Sequence, residues 1–102
     1  MKVYVDIDET ICHYAGVERK YENAKPYHDR IRMINELYYD AGHIVVYWTA
    51  RGSTTGIDWH DLTEEQLCEW GVKYHELKMG KPDYDIFIDD KAINTHHFFG
   101  KL

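Results

Sequence analysis

Residues 3–10 read VYVDIDET, and this stretch decides the fold. It opens with β-branched and aromatic residues, a composition typical of a buried parallel strand, and the apolar run stops where acidic residues begin. A second apolar run, Ile44–Trp48, stops in the same way at the sequence TAR, residues 49–51. We expect both runs to be strands of a parallel sheet.

Helical patterns separate these strands. Between Pro26 and Gly42 the apolar residues recur at helical spacing from Tyr27 to Ala41, which predicts a helix with Arg30 outside its apolar stripe. Residues 10–25 show no clean period and indicate a loop that could hold a small hairpin. Thr63 with Gln66 fits a capping box, which predicts a helix that begins there, runs towards residue 70 and stops at residue 71.

The last third of the chain predicts two more strands. A short third strand is expected around Tyr74–Leu77, and a fourth is expected over Tyr84–Ile88, ending at Asp89 and Asp90. Strands that alternate with helices imply right-handed crossovers and a parallel sheet. We therefore predict a single α/β domain over residues 1–102, with a short parallel sheet in a three-layer α/β/α sandwich.

Composition limits the function. The net charge of −6 argues against a nucleic-acid or anionic-membrane surface, and no apolar run approaches the roughly 18 residues of a membrane span. Cys12 and Cys68 are too few for a disulfide framework and are expected to be reduced thiols. A cytoplasmic protein that acts on a small molecule is the expectation.

The residues suited to chemistry collect at predicted strand ends, where α/β sheets bind their ligands. Asp6 and Asp8 follow the first strand, and Thr49 follows the second. The adjacent acids Asp89 and Asp90 follow the fourth strand, and Lys81 lies in the loop before it. Hard carboxylate oxygens gathered at one sheet edge indicate Mg²⁺. A carboxylate can accept a phosphoryl group once cations neutralise the incoming phosphate.

Each of these signals is weak alone. Aspartates often form turns after strands, the acidic pair could cap a helix, and a lone Thr49 or Lys81 could simply be a strand-end hydroxyl or a solvated side chain. Their joint occurrence in this order is what points to phosphoryl transfer. Arg51, directly after Thr49 and Ala50, is a further candidate, because guanidinium groups suit phosphate and carboxylate.

The order of these motifs resembles that of the haloacid-dehalogenase superfamily: D-x-D-x-T, a strand-ending Thr or Ser, a Lys and a paired acid. The resemblance extends from Lys2 to about Asn94. The sequences DIDET, WTAR, GKP and FIDDKAI, which begin at residues 6, 48, 80 and 87, are also similar to those of small phosphatases found with capsular-polysaccharide biosynthesis genes.

The resemblance implies a role for each matching residue. Asp6 would be the nucleophile that becomes an aspartyl-phosphate, and Asp8 would protonate the leaving oxygen and then activate water. Lys81 would neutralise charge between Asp6 and the phosphate. Thr49 and the amide of Ala50 would bind phosphate oxygens. The Mg²⁺ ligands would be Asp6, the backbone carbonyl of Asp8, and Asp89, with Asp90 in support.

Several alternatives stay open at this stage. Lys78 could take the role of Lys81, although Gly80 and Pro82 fix the backbone of Lys81. A receiver-like signalling module also uses acids, a Thr and a Lys-Pro to bind phosphate, and a nucleic-acid end phosphatase is a third possibility that the acidic balance disfavours. A sugar phosphate is the best guess for the substrate, by resemblance.

The chain has no insertion long enough for a cap domain, so a second copy is expected to cover the site in a homo-oligomer. That expectation is supported by a number of aromatic residues that is large for so small a core: Trp59, Trp70, Tyr74, Phe98 and Phe99.

Overall fold

The structure is a computed structural model that describes residues 1–16 and 18–100. The strands are β1 (Lys2–Val5), β2 (Cys12–His13), β3 (Lys25–Pro26), β4 (Ile44–Trp48) and β5 (Glu76–Lys78), and the α-helices are α1 (His28–Tyr39), α2 (His60–Glu69) and α3 (Thr95–Phe99).

The main sheet is short and parallel. Its strand order is β1-β4-β5, so β4 lies in the middle and β1 lies at one edge. The register places Val3 opposite Val45 and Val5 opposite Tyr47. This confirms the predicted α/β class and the two strands on which the prediction rested.

The core lies on one face of this sheet. Val5, Val45 and Tyr47 alternate towards it and pack in one cluster with residues of α1 and α2, among them Ile34 and Leu67. Alternate positions of the same strands point the other way, and there Tyr4 and Ile44 are exposed whereas Val46 is fully buried. Within residues 1–16 and 18–100, no helix has the length and apolarity needed to cross a membrane.

The helix predicted over residues 27–41 is confirmed as α1, His28–Tyr39, with Ile31 and Ile34 buried. The prediction for Arg30 was wrong, because this residue is also buried. Its guanidinium lies over the rings of Tyr27 and Phe99 and donates to the Thr10 carbonyl oxygen at 3.1 Å. The Arg30 guanidinium can be buried because aromatic faces and a backbone acceptor replace its hydration.

The capping box predicted at Thr63 was also wrong. Helix α2 begins at His60, and Thr63 lies one turn inside it with its side chain fully buried. The Thr63 hydroxyl and Oε1 of Gln66 accept hydrogen bonds from buried Arg51 and do not cap a helix end. The pattern Thr-x-x-Gln therefore marks one face of a helix here, because residues three apart in a helix are neighbours.

Residues between the first strand and α1 contain the small antiparallel pair that was expected there. Cys12 of β2 lies opposite Pro26 of β3, and His13 lies opposite Lys25. The third predicted strand is confirmed as β5, which pairs parallel to β4.

The fourth predicted strand, over Tyr84–Ile88, is not formed, and that prediction was wrong. All residues from 82 to 94 are exposed and lie outside the strands and helices. The reason is the length of the connection, since only residues 79–83 separate β5 from this segment. A parallel strand needs a crossover of a dozen or more residues to return to the starting edge of the sheet.

Candidate active site

A sharp turn after β1 positions the two aspartates of the D-x-D-x-T sequence. Glu9 adopts a left-handed backbone conformation with φ of 62°. The amides of Thr10 and Ile11 both donate to the carbonyl oxygen of Ile7, at 3.1 and 2.9 Å. Such a conformation is uncommon outside glycine and is found where the surrounding structure enforces it. The turn leaves Asp6 and Asp8 at the carboxyl end of the sheet.

Asp6 lies between a cation and a hydroxyl group. The Nζ of Lys81 is 3.5 Å from Oδ1 of Asp6, and the Thr10 hydroxyl donates to Oδ2 at 3.2 Å. The Thr10 oxygen is 2.9 Å from that of Thr95, at the start of α3. Since the proton of Thr10 goes to Asp6, Thr95 is the donor of this second bond. The Asp6 side chain keeps 35 % of its surface exposed, enough to meet a ligand.

Of the two candidate lysines, Lys81 is the one beside Asp6. Its amide donates to the Thr49 carbonyl oxygen at 3.0 Å, which ties the lysine loop to the end of β4. Lys78 lies at the end of β5 and donates to the Tyr4 hydroxyl at 3.3 Å, on the exposed face of the sheet.

The loop after β4 brings its polar residues to the same place. Thr49 is buried, and its hydroxyl accepts from the Arg51 amide at 3.1 Å. Gly52 has φ of 82°, and a Cβ added there would lie 2.1 Å from the carbonyl oxygen of Ile57. Only glycine allows this close approach.

Asp8 and Arg51 form a buried bidentate ion pair. Nε of Arg51 donates to Oδ2 of Asp8 at 3.0 Å, and its NH2 group donates to Oδ1 at 2.9 Å. The Arg51 side chain has no exposed surface, and that of Asp8 has 11 %. The remaining NH1 group donates to the Thr63 hydroxyl at 3.1 Å and to Oε1 of Gln66 at 2.7 Å. This planar fork is the arrangement in which arginine binds carboxylates most strongly.

The pair sets the charge of Asp8. Burial alone would raise the pKa of Asp8, but hydrogen bonds and the charge of Arg51 outweigh it and hold the pKa below its usual value. The Tyr14 hydroxyl adds a further hydrogen bond of 2.5 Å to Oδ1. At neutral pH Asp8 is an anion that can accept a proton, and it must gain one before it can donate one.

Sequence reasoning missed the residues that hold this pair. Tyr14, Thr63 and Gln66 touch Asp8 or Arg51 directly, and the Tyr21 ring lies 4.7 Å from the guanidinium carbon. The sequence pattern indicates Thr63 and Gln66 only as a helix cap. The signal that could have identified them is the position of two polar residues, Thr63 and Gln66, on the face of α2 that points towards the core.

The residues predicted for phosphoryl transfer line one cavity of about 470 Å³, a size that suits a small metabolite. Asp6, Asp8, Thr49, Arg51 and Lys81 all contribute to its wall, and the wall is completed by Ala50, Gly52, Arg19, Tyr21, Trp59 and Tyr84, among others. The structure therefore brings together the predicted residues of the first three motifs.

The fourth motif is not part of this wall. Asp89 and Asp90 are exposed and do not line the cavity. Within residues 1–16 and 18–100, no three His, Cys, Asp or Glu side chains form a group that could hold a metal ion. Asp6 offers a partly open carboxylate, whereas that of Asp8 is already taken by Arg51. Within one copy, Asp6 is therefore the aspartate of the D-x-D-x-T sequence whose carboxylate remains open to a ligand.

Comparisons with known proteins support the fold without naming an activity. No protein-family model and no curated protein matches the chain. A crystal structure of a Vibrio cholerae protein, known only by a target designation, is similar with a TM-score of 0.80 and 28 % sequence identity. The alignment covers 99 % of this chain and 89 % of that one.

Proposed function

We propose that the protein is a phosphatase of the haloacid-dehalogenase type, which hydrolyses a small phosphomonoester through an aspartyl-phosphate on Asp6. The observation that carries the proposal is the position of Asp6, which is partly open to a cavity and flanked by the ammonium group of Lys81. A carboxylate needs a neighbouring positive charge to be approached by a phosphate dianion. We also propose that the chain has the three-layer α/β/α arrangement expected from its sequence.

In the first half of the reaction, a carboxylate oxygen of Asp6 forms a bond to phosphorus while the bond from phosphorus to the leaving oxygen breaks. The leaving oxygen takes a proton from Asp8. Lys81, the Thr49 hydroxyl and the Ala50 amide bind the phosphoryl oxygens, where charge builds up. In the second half, the oxygen of a water molecule forms a bond to phosphorus while the bond from phosphorus to Asp6 breaks. Asp8 takes a proton from that water, inorganic phosphate leaves, and the Asp6 carboxylate is restored.

The ion pair with Arg51 bears on this sequence. Asp8 is ionised and hydrogen-bonded to Arg51 in the structure, so before the first half of the reaction it must take up a proton from solvent. That uptake requires its contact with Arg51 to weaken when substrate binds. An anionic substrate in the cavity would draw the guanidinium away from Asp8. This is the role we propose for Arg51 in substrate binding.

Mg²⁺ is part of the proposal, because a phosphate beside two aspartates needs a counter-charge beyond one lysine. When bound, Mg²⁺ would neutralise the phosphate and polarise its oxygens. Asp6 and the Asp8 carbonyl would bind it, with Asp89 and Asp90 as the remaining candidates.

The receiver-like alternative has less support. A receiver carries its phosphorylated aspartate at the end of a middle strand, and the middle strand β4 ends at Trp48, followed by Thr49. Turnover separates the two functions, since an enzyme releases phosphate repeatedly while a receiver retains it.

The test is a screen of sugar, nucleotide and amino-acid phosphates with purified protein and Mg²⁺. We expect phosphate release from at least one of them, and we expect Asp6→Asn to reduce it by several orders of magnitude because the nucleophile is lost. Asp29→Asn, an acid exposed on α1, is the matched control and should keep full activity. A substantially active Asp6→Asn enzyme would exclude the covalent mechanism.

The lysines provide a second comparison on the same substrate. Lys81→Ala should impair turnover far more than Lys78→Ala, because only Lys81 lies beside Asp6. Equal losses, or the reverse order, would contradict the assignment.

A further inference from the structure

The segment 82–94, which we call the arm, leaves several apolar side chains in contact with solvent. All thirteen of its residues are exposed, although its middle reads YDIFID. Ile88 is 94 % exposed, Ile86 79 %, Ile93 59 % and Phe87 48 %. Soluble proteins rarely leave a continuous apolar run of this kind in water, and such a run generally marks an interaction site.

The aromatic residues that the sequence suggests for contact with a second copy do not provide this surface. Phe99 is buried, Trp70 and Tyr74 pack against the core, and Trp59 lines the cavity. Only Phe98 keeps substantial exposure, at 37 %. Exposed apolar side chains are therefore concentrated in the arm.

Both ends of the arm are fixed at the active site. Just before it, Lys81 is bound to Thr49 and lies beside Asp6, and just after it Thr95 donates to Thr10. The arm thus leaves the carboxyl end of the sheet and returns to it. Its midpoint carries Asp89 and Asp90, the acids missing from the wall of the cavity.

The main sheet has a place for an extended segment. Strand β1 lies at its edge, and within residues 1–16 and 18–100 it pairs only with β4. Its outer edge therefore offers unpaired backbone groups to another strand. The arm has the β-branched and aromatic composition that such a strand requires.

The arm cannot fill this place in its own copy and also bring its acids to the site. A strand parallel to β1 must begin at the far end of the sheet, about 16 Å below the site for five residues. Only residues 82 and 83 lie between Lys81, at the site, and Tyr84, where that strand would begin, and they allow a span of about 10 Å at full extension. An antiparallel course down the same edge would carry Asp89 away from Asp6.

A second copy removes this conflict. When two copies face each other across a twofold axis with their β1 edges antiparallel, the active site of one lies beside the far end of β1 in the other. An arm that leaves its own site then runs parallel to the partner's β1, towards the partner's site. Between Asp89 and Thr95 the chain spans about 20 Å when extended, so Lys81 and α3 can stay where the structure places them.

We propose that the protein is a reciprocal dimer in which the arm of each copy extends along the open β1 edge of the other and supplies Asp89 and Asp90 to the other copy's active site. The interface is isologous, so both sites are completed at once. The apolar side chains of the arm become buried against a second sheet. Each active site then combines Asp6 of one copy with Asp89 and Asp90 of the other. The delivery of acids rests on the proposed function, whereas the exchange of arms does not.

Two measurements test the exchange without any activity. Sedimentation should show a dimer at micromolar concentration, and hydrogen exchange should show slow amides over Tyr84–Ile88 that become fast on dilution to monomer. The double variant Ile86→Asp, Ile88→Asp should sediment as a folded monomer. Tyr39→Asp, at a residue 67 % exposed on α1, is the matched control and should remain a dimer. A wild-type monomer, or arm amides that exchange rapidly in the dimer, would overturn the proposal.

Mixing two inactive variants tests the delivery of acids. Asp6→Asn lacks the nucleophile and Asp89→Asn lacks the arm acid, so each alone should have little activity. In a mixed dimer, the site that keeps Asp6 receives an intact arm from the other copy. Random exchange of copies should restore about a quarter of the wild-type rate, since half of the dimers are mixed and each has one complete site.

The outcomes separate the two proposals. If the wild type is active and the re-equilibrated mixture gains nothing, each arm serves its own site and the exchange is wrong. If no phosphomonoester is hydrolysed by the wild type, the proposed function fails, and sedimentation with hydrogen exchange still decides whether the arms are exchanged.

Discussion

Replacement of Arg51 by methionine tests the ion pair that holds the centre of the site. Methionine has a similar length and can fill the apolar part of the space, but it removes four hydrogen bonds and the positive charge. Asp8 would then be a buried carboxylate without its counter-charge, with only 11 % of its side chain exposed. Breaking a buried pair on one side costs about 3–5 kcal/mol.

That cost is a large part of the stability of a small domain, which is about 5–15 kcal/mol in total. For a domain of 102 residues, each kcal/mol lowers Tm by about 4–8 °C, so Arg51→Met should lower Tm by at least about 10 °C. Urea unfolding followed by circular dichroism gives the free energy of unfolding directly, and the m-value shows whether the unfolded state has changed.

Two controls make the result specific to the buried pair. Arg32→Met removes an arginine whose ion pair with Asp29 is exposed, with 71 % of the Arg32 side chain in contact with solvent, and should cost less than about 1 kcal/mol. The double variant Asp8→Asn, Arg51→Met should be more stable than Arg51→Met alone, because the uncompensated charge is gone. An Arg51→Met protein within about 1 kcal/mol of the wild type would refute the reasoning.

Three further predictions concern single groups. Tyr47 is fully buried, and among the residues that the structure describes its hydroxyl has no hydrogen-bond partner, so Tyr47→Phe should raise the free energy of unfolding by about 1 kcal/mol. The same change at Tyr14, which donates to the buried Asp8 carboxylate, should lower it by about 1.5–3 kcal/mol, and urea titration of both variants measures the two effects. Burial, with the nearby Asp8 charge, raises the pKa of the Cys12 thiol to about 12, so a thiol reagent at pH 8 should label exposed Cys68 quickly and Cys12 only after unfolding; two rapidly labelled thiols would contradict this. Removal of divalent cations with EDTA should abolish phosphatase activity and Mg²⁺ should restore it, and full turnover in the chelator would exclude the metal assignment.

Local sequence patterns were sufficient to predict strand β4 and helix α1. The run Ile44–Trp48 is the strand β4 residue for residue, and the helix expected between Pro26 and Gly42 is α1. Continuous apolar runs and helical periodicity are properties of neighbouring residues, and burial on one face selects them whatever the rest of the chain does. The meeting of Asp6, Thr49 and Lys81 in one cavity followed from them, because parallel strands end at the same edge of a sheet.

What the sequence alone could not decide depends on partners far along the chain. The same composition that marks a strand at Ile44–Trp48 marks one at Tyr84–Ile88, yet only the first is paired, since a strand exists only where a neighbour is within reach of its connection. Thr63 and Gln66 read as a helix cap because their true partner, Arg51, is twelve and fifteen residues away. Propensity acts between neighbours in the chain. The fold brings together groups that are distant in the chain, and these contacts decide the burial of an arginine, the charge of Asp8 and the exposure of the arm. The tertiary structure alone contains that information.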